Sequence, residues 1–173
     1  MSPRRRRVTT VVLIGVSGVG KSSIMAALED RLGWPALEGD SVHPASNVRK
    51  MAAGTPLTDA DREPWLRRIS AWIGERERER VSSLVTCSAL RRTYRDVLRR
   101  GHPSVWFVHL VAPRSVLEAR MDRRSGHFMP ASLLASQLAT LEPLGADEPG
   151  WAIDASEPVE TVAEMILERL GLA

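Results

Sequence analysis

The stretch "VTTVVLIGVSGVGKSSIMAALEDRLG", residues 8–33, decides the fold. Its first part is an apolar run rich in β-branched residues, the pattern of a buried strand, and its last part carries apolar residues at helical spacing. Between them Gly15, four residues, Gly20, Lys21 and Ser22 satisfy G-x-x-x-x-G-K-[ST] in the strand-to-helix setting that gives the pattern a mechanism. Polyphosphate is highly charged, and backbone N–H groups at a helix N-terminus cradle it where side chains would obstruct the approach. Gly15, Val16, Ser17, Gly18, Val19, Gly20, Lys21, Ser22 and Ser23 are therefore expected to bind a nucleoside triphosphate. Lys21 is expected to reach the β- and γ-phosphates, and the Ser22 hydroxyl to ligate Mg²⁺. A glycine-rich turn without a ligand explains neither this setting nor the choice of lysine, since Lys21 and Lys50 are the only lysines in an arginine-rich chain.

Working outward, "PALEGD", "SSLVTCS", "SVWFVHLV" and "GWAIDA" read as four further strands. Segments with helical periodicity separate them: "ASNVRKMAAG", "DREPWLRRISAWIGERERER", "LRRTYRDVLRRG", "PRSVLEARMDRR", "PASLLASQLATLE" and "PVETVAEMILERLG". Such alternation predicts an α/β three-layer sandwich of the P-loop NTPase type, a five-stranded parallel sheet covered by helices on both faces. At 173 residues the chain suits one domain, expected over residues 8–173 behind a disordered basic tip at 1–7. "RRSGHFMP", residues 123–130, breaks the helical pattern and reads as a mobile loop.

Lysine and arginine total 24 against 21 acidic residues, a net charge of +3 that does not imply a nucleic-acid partner. The single cysteine, Cys87, lies in an apolar run, which suits a buried thiol and a reducing, cytoplasmic setting. No run approaches the roughly 18 apolar residues of a membrane span. "MSPRRRRVTTVVLIGV" has the order of a secretory signal, but it runs directly into the phosphate-loop pattern without a cleavage site.

In doubly wound sheets ligands gather at the carboxyl ends of the strands, so "LEGDSVHP" places Glu38, Asp40 and His43 beside the phosphate loop. A kinase acting on an alcohol needs a carboxylate there to align the hydroxyl and take its proton. Asp40 is the candidate base, and Glu38, two residues earlier on an extended chain, is a candidate Mg²⁺ holder through water.

At this point the chain resembles the bacterial gluconokinases, relatives of shikimate and adenylate kinases. The resemblance rests on "GVSGVGKSS", "EGDSVHPASNVRKMAAGTPLTDADREPWL", "CSALRRTYRDVLR", "GHFM" and "QLATLEPLGADE", in that order. It implies phosphoryl transfer from ATP to the 6-hydroxyl of D-gluconate, a lid over about residues 120–136, and a homodimer. An open-chain polyol acid needs a fixed cation and several hydrogen-bonding side chains. His43, Asn47 and Lys50 recur at i, i+4 and i+7, so His43 and Asn47 are expected to meet hydroxyls, and Lys50 or Arg62 the carboxylate. Trp65 is either core or an acceptor contact, and Arg91 and Arg95, one turn apart, are expected to reach substrate or phosphate. In the expected lid, Arg120 and Arg124 would steady the phosphoryl group, and His127 would touch gluconate or phosphate. Shikimate-like kinases, or a nucleotide-binding module without catalysis, are the alternatives.

Overall fold

The computed structural model describes residues 7–123 and 133–173. Strands β1 (Thr10–Ile14), β2 (Ala36–Glu38), β3 (Ser83–Thr86), β4 (Val105–Val111) and β5 (Gly150–Asp154) form one five-stranded sheet in the order β2-β3-β1-β4-β5. Every pairing is parallel, with Val12 of β1 level with Val85 of β3 and Phe107 of β4. Parallel neighbours require crossovers. These are built from α1 (Lys21–Leu32), α2 (Ala45–Ala52), α3 (Asp59–Arg78), α4 (Arg92–Arg99), α5 (Arg114–Asp122) and α6 (Leu133–Thr140), while α7 (Val159–Arg169) follows the last strand and packs beside α1. Each strand and helix expected from the alternation is present; the predicted start of α6 near Pro130 lies outside the described residues.

The near-continuous apolar character of β1 follows from burial on both faces. Val11 and Leu13 join a core with Ile24, Leu28, Val162 and Ile166 of α1 and α7. Val12 and Ile14 point the other way, into a core with Trp65, Leu66 and Ile69 of α3 and Leu98 of α4. Each such fully buried side chain contributes about 1.5–3 kcal/mol, and the two cores hold β1 at the centre of the sheet.

Two local features shape the carboxyl end of the sheet. Gly15 leaves β1 at φ +143°, where an added Cβ would stand 2.8 Å from the Leu110 carbonyl oxygen, so the chain turns only because glycine is there. Gly39 closes β2 so tightly on β3 that an added Cβ would lie 2.0 Å from the Thr86 carbonyl oxygen. A 3-10 turn, Gly39–Val42, follows and carries Asp40. Helix α3 begins at Asp59, two residues ahead of the predicted start, because Thr58 and Asp61 form a reciprocal capping box. Among the described residues no helix is long and apolar enough to cross a membrane.

Candidate active site

The phosphate loop runs from Gly15 to Gly20 between β1 and α1, and Gly20, at φ +102°, is the N-cap of α1. Gly15 N–H donates to the Ser88 carbonyl oxygen at 3.2 Å, which anchors the loop to the chain after β3. Lys21 Nζ donates to the Gly15 and Val16 carbonyl oxygens at 2.8 and 3.0 Å, so the ammonium lies folded over the loop. Two clefts meet at this loop. One, of about 560 Å³, is bounded by Ser17 and Lys21 on the loop side and by Asp40, His43, Arg62 and Trp65 opposite. The other, of about 910 Å³, is bounded by Gly18, Val19, Gly20 and Ser23, by Arg120 of α5, and by residues 155–159 after β5.

In the first cleft the expected acceptor residues separate into those that line it and those that stand behind it. Asp40 lines it with a side chain 36% exposed, open enough for a substrate to reach, and its Oδ1 is 3.8 Å from His43 Nε2. His43 stacks on Trp65 with ring centroids 3.9 Å apart and planes 18° apart. Burial is the main force holding the His43 imidazole neutral, with its pKa lowered to about 4; Asp40 opposes this and Arg62 adds to it. Asn47 Nδ2 donates to the Asp61 carbonyl oxygen at 2.8 Å and lies 3.2 Å from His43 Nδ1. The carbonyl contact orients the Asn47 amide, so His43 Nδ1 accepts and Nε2 carries the proton toward Asp40 and the cleft.

Trp65 is buried and also lines the cleft, and its Nε1 donates to the Gly39 carbonyl oxygen at 2.7 Å and pins the turn that carries Asp40. Arg62, one helical turn into α3, lines the cleft with its Nη1 donating to the Leu57 carbonyl oxygen and to Tyr94 Oη, at 2.6 and 3.1 Å. Glu38 Oε2 accepts from Thr86 Oγ1 at 2.6 Å, which holds that carboxylate at the mouth of β2 and β3.

Four expected contacts are placed elsewhere. Asn47 is buried behind His43 and spends both amide hydrogens on His43 and Asp61, so it orients the imidazole rather than meeting a hydroxyl. Lys50 does not line the cleft: its Nζ donates to Asp61 Oδ2 at 2.7 Å, tying α2 to the start of α3 and helping hold that carboxyl down to about 2. Arg95 is a correction. It is fully buried, donates through Nε and Nη2 to both oxygens of Glu148 at 2.7 and 3.0 Å, and donates through Nη1 to the Ala89 and Glu142 carbonyl oxygens at 3.0 Å. Its neighbour in the expectation, Arg91, precedes α4 as its N-cap and sits 3.7 Å from Asp59 on the surface, so the two arginines diverge instead of sharing a face.

On the nucleotide side Arg120 donates to the Val19 and Ala155 carbonyl oxygens at 3.1 and 2.8 Å, bridging the phosphate loop to the chain after β5. The expected contributions of Arg124 and His127 lie outside the described residues, as does most of the predicted basic tip. Cys87 is buried, and burial chiefly pushes its thiol up to about 12, which removes it as a nucleophile. Sequence reasoning missed one wall of the acceptor cleft, formed by Leu133, Ser136, Gln137 and Thr140. The signal was present as polar residues at i, i+1 and i+4 on an otherwise apolar α6.

A strand-loop-helix phosphate cradle beside a cleft that presents a carboxylate, a cation and a neutral imidazole defines a P-loop kinase for a small acceptor. A family described as an AAA domain matches residues 11–144. The chain is 46% identical to a gluconokinase of Gluconobacter oxydans over 92% of its own length and 89% of the relative's. The crystal structure of a gluconokinase from Sinorhizobium meliloti superposes with a TM-score of 0.82 at 46% identity, covering 96% of this chain and 94% of the other. An unliganded sugar kinase from Janibacter sp. superposes with a TM-score of 0.91 at 50% identity, covering 96% of both chains. The chain belongs to the gluconokinase family.

Proposed function

We infer that the chain transfers the γ-phosphoryl group of ATP to the 6-hydroxyl of D-gluconate, giving 6-phospho-D-gluconate. The observation that carries this reading is the shared cleft: the end of the phosphate loop bearing Ser17 and Lys21 faces Asp40, Arg62 and His43 across a space suited to a six-carbon acid. Asp40 aligns the acceptor hydroxyl and takes its proton as the oxygen attacks phosphorus. Lys21 swings from the Gly15 and Val16 carbonyls to the phosphates and offsets the charge spread over the transferring group. Arg62 supplies the fixed cation for the gluconate carboxylate, and His43 offers Nε2–H to a hydroxyl. Trp65 and Asn47 hold His43 in place, while Arg120 faces the nucleotide.

The donor set fits a hard cation at phosphate: the Ser22 hydroxyl on the exposed first turn of α1, and Glu38 through water, are the residues that would hold Mg²⁺. When bound, the ion screens the phosphate charge. The family resemblance further supports a homodimer, and the lone buried cysteine supports a cytoplasmic setting.

A coupled ADP-release assay across gluconate, shikimate, nucleoside monophosphates and common sugars tests the assignment. Turnover is expected on gluconate well above the others. Silence on gluconate with turnover on another acceptor would overturn it.

A further inference from the structure

Helix α6 touches the phosphate loop through Gln137. Its side-chain carbonyl Oε1 accepts from the Ser17 backbone N–H at 2.7 Å, and its Nε2 lies 3.4 Å from Ser17 Oγ. The two clefts divide the loop at this point. Ser17 lines the acceptor cleft together with Gln137 and Asp40, whereas Gly18, Val19 and Gly20 line the nucleotide cleft. Ser17 N–H therefore faces the side toward which the phosphoryl group departs. A loop amide in that position is a donor for an oxygen of the transferring group. Gln137 Oε1 stands in for that phosphoryl oxygen, as a neutral acceptor on the same hydrogen.

We propose that Gln137 is a positioning residue that exchanges its contact with Ser17 for one with the terminal phosphate or the incoming hydroxyl. Before nucleotide binds, Oε1 satisfies Ser17 N–H. When a terminal phosphate oxygen takes that hydrogen, the Gln137 amide turns about its last side-chain torsion and presents Nε2–H. A primary amide suits the exchange because its acceptor and its two donors share one planar, uncharged head. Aspartate or glutamate would accept from Ser17 but would repel phosphate, and an aliphatic residue would do neither. Ser136 and Thr140 lie on the same wall of the cleft, so the arrival of the terminal phosphate is passed to the surface that meets the acceptor. The proposal rests on the reading of this cleft as the phosphoryl-acceptor side, but not on the acceptor being gluconate.

The test uses the full chain and the variants Gln137→Glu and Gln137→Ala. Calorimetry gives the affinity of each for ADP and for a non-hydrolysable ATP analogue, and thermal unfolding gives stability. Gln137→Glu retains an acceptor for Ser17 N–H, so its unfolding midpoint should stay near that of the wild type. Its carboxylate should weaken the ATP analogue by about tenfold or more while ADP changes by less than about threefold. Gln137→Ala should lower kcat on gluconate by about tenfold or more with KM for both substrates within about threefold. Equal weakening of ADP and the ATP analogue in Gln137→Glu would overturn the proposal, as would wild-type kcat in Gln137→Ala. A purely structural tether would instead lower stability and both affinities together, which also counts against it. If Gln137→Ala folds poorly, the nucleotide ratio of the isosteric glutamate variant decides. Absence of gluconate turnover by the wild type would sink the proposed reaction while leaving that ratio intact as the test of Gln137.

Discussion

Arg95 separates a structural from a catalytic reading most sharply, because its position in the motif suggested substrate and its surroundings say otherwise. Replacing it by methionine keeps much of the aliphatic volume but strips the Glu148 carboxylate of its bidentate partner in a fully buried site. Burial alone would push the Glu148 carboxyl up; the Arg95 guanidinium, helped by the Gly145 N–H, outweighs it and holds the group below its ordinary value. The same substitution leaves the carbonyl oxygens of Ala89, Glu142 and Pro143 without the arginine. Breaking one partner out of a buried pair costs about 3–5 kcal/mol. For a domain of this size about 2–4 °C accompanies each kcal/mol, so Arg95→Met should unfold about 6–20 °C lower. Adding Glu148→Gln should cost less than the sum of the two single changes, because the unpaired charge is then gone. Circular dichroism melts of the two single variants and the double variant provide the measurement, with steady-state kinetics below the lowered midpoint as the control. KM for gluconate is expected to stay within about threefold of the wild type. A midpoint unchanged within about 2 °C, combined with a tenfold rise in KM, would refute the reasoning and return Arg95 to the substrate.

Stability should fall as the medium is acidified from pH 6.5 toward 4. His43 and His109 are both buried, and burial first of all lowers each to about 4, so below pH 6.5 the unfolded chain takes up protons that the folded chain refuses. The loss is on the order of 2 kcal/mol per histidine at pH 5, and a melting midpoint that is flat between pH 7 and 5 would contradict it. Lys21→Ala should lower kcat/KM by about 10² or more, read by ADP release; near-normal turnover would remove the assigned phosphate site. Asp40→Asn should abolish transfer while calorimetry still detects ATP binding, and undiminished kcat would rule out the base. Arg62→Met should raise the gluconate KM by about tenfold, whereas Lys50→Met should leave it within about threefold; the reverse order would move the carboxylate to Lys50.

The order of strands and helices and the phosphate loop were legible from residues alone, because both depend on contiguous chain. A short apolar run rich in β-branched residues marks a strand buried on both faces, 3.6-residue recurrence marks a helix, and glycines at fixed spacing before a lysine mark a phosphate loop. The capping pair Thr58 and Asp61 was equally local and still shifted the start of α3, because a cap competes with periodicity over a single turn.

What each polar side chain meets was decided only by the fold. Periodicity groups His43, Asn47 and Lys50 along one short segment, but it does not say that Asp61, from the next helix, captures Asn47 and Lys50 and leaves only His43 in the cleft. Arg95 becomes a buried clamp because Glu148, 53 residues away, is carried beneath it by the loop before β5. Gln137 reaches Ser17 across 120 residues. Spacing along a chain determines which side chains share a face; the packing of the sheet against its helices determines what that face is turned toward, and that second step sorts these cations and amides into chemistry or scaffold.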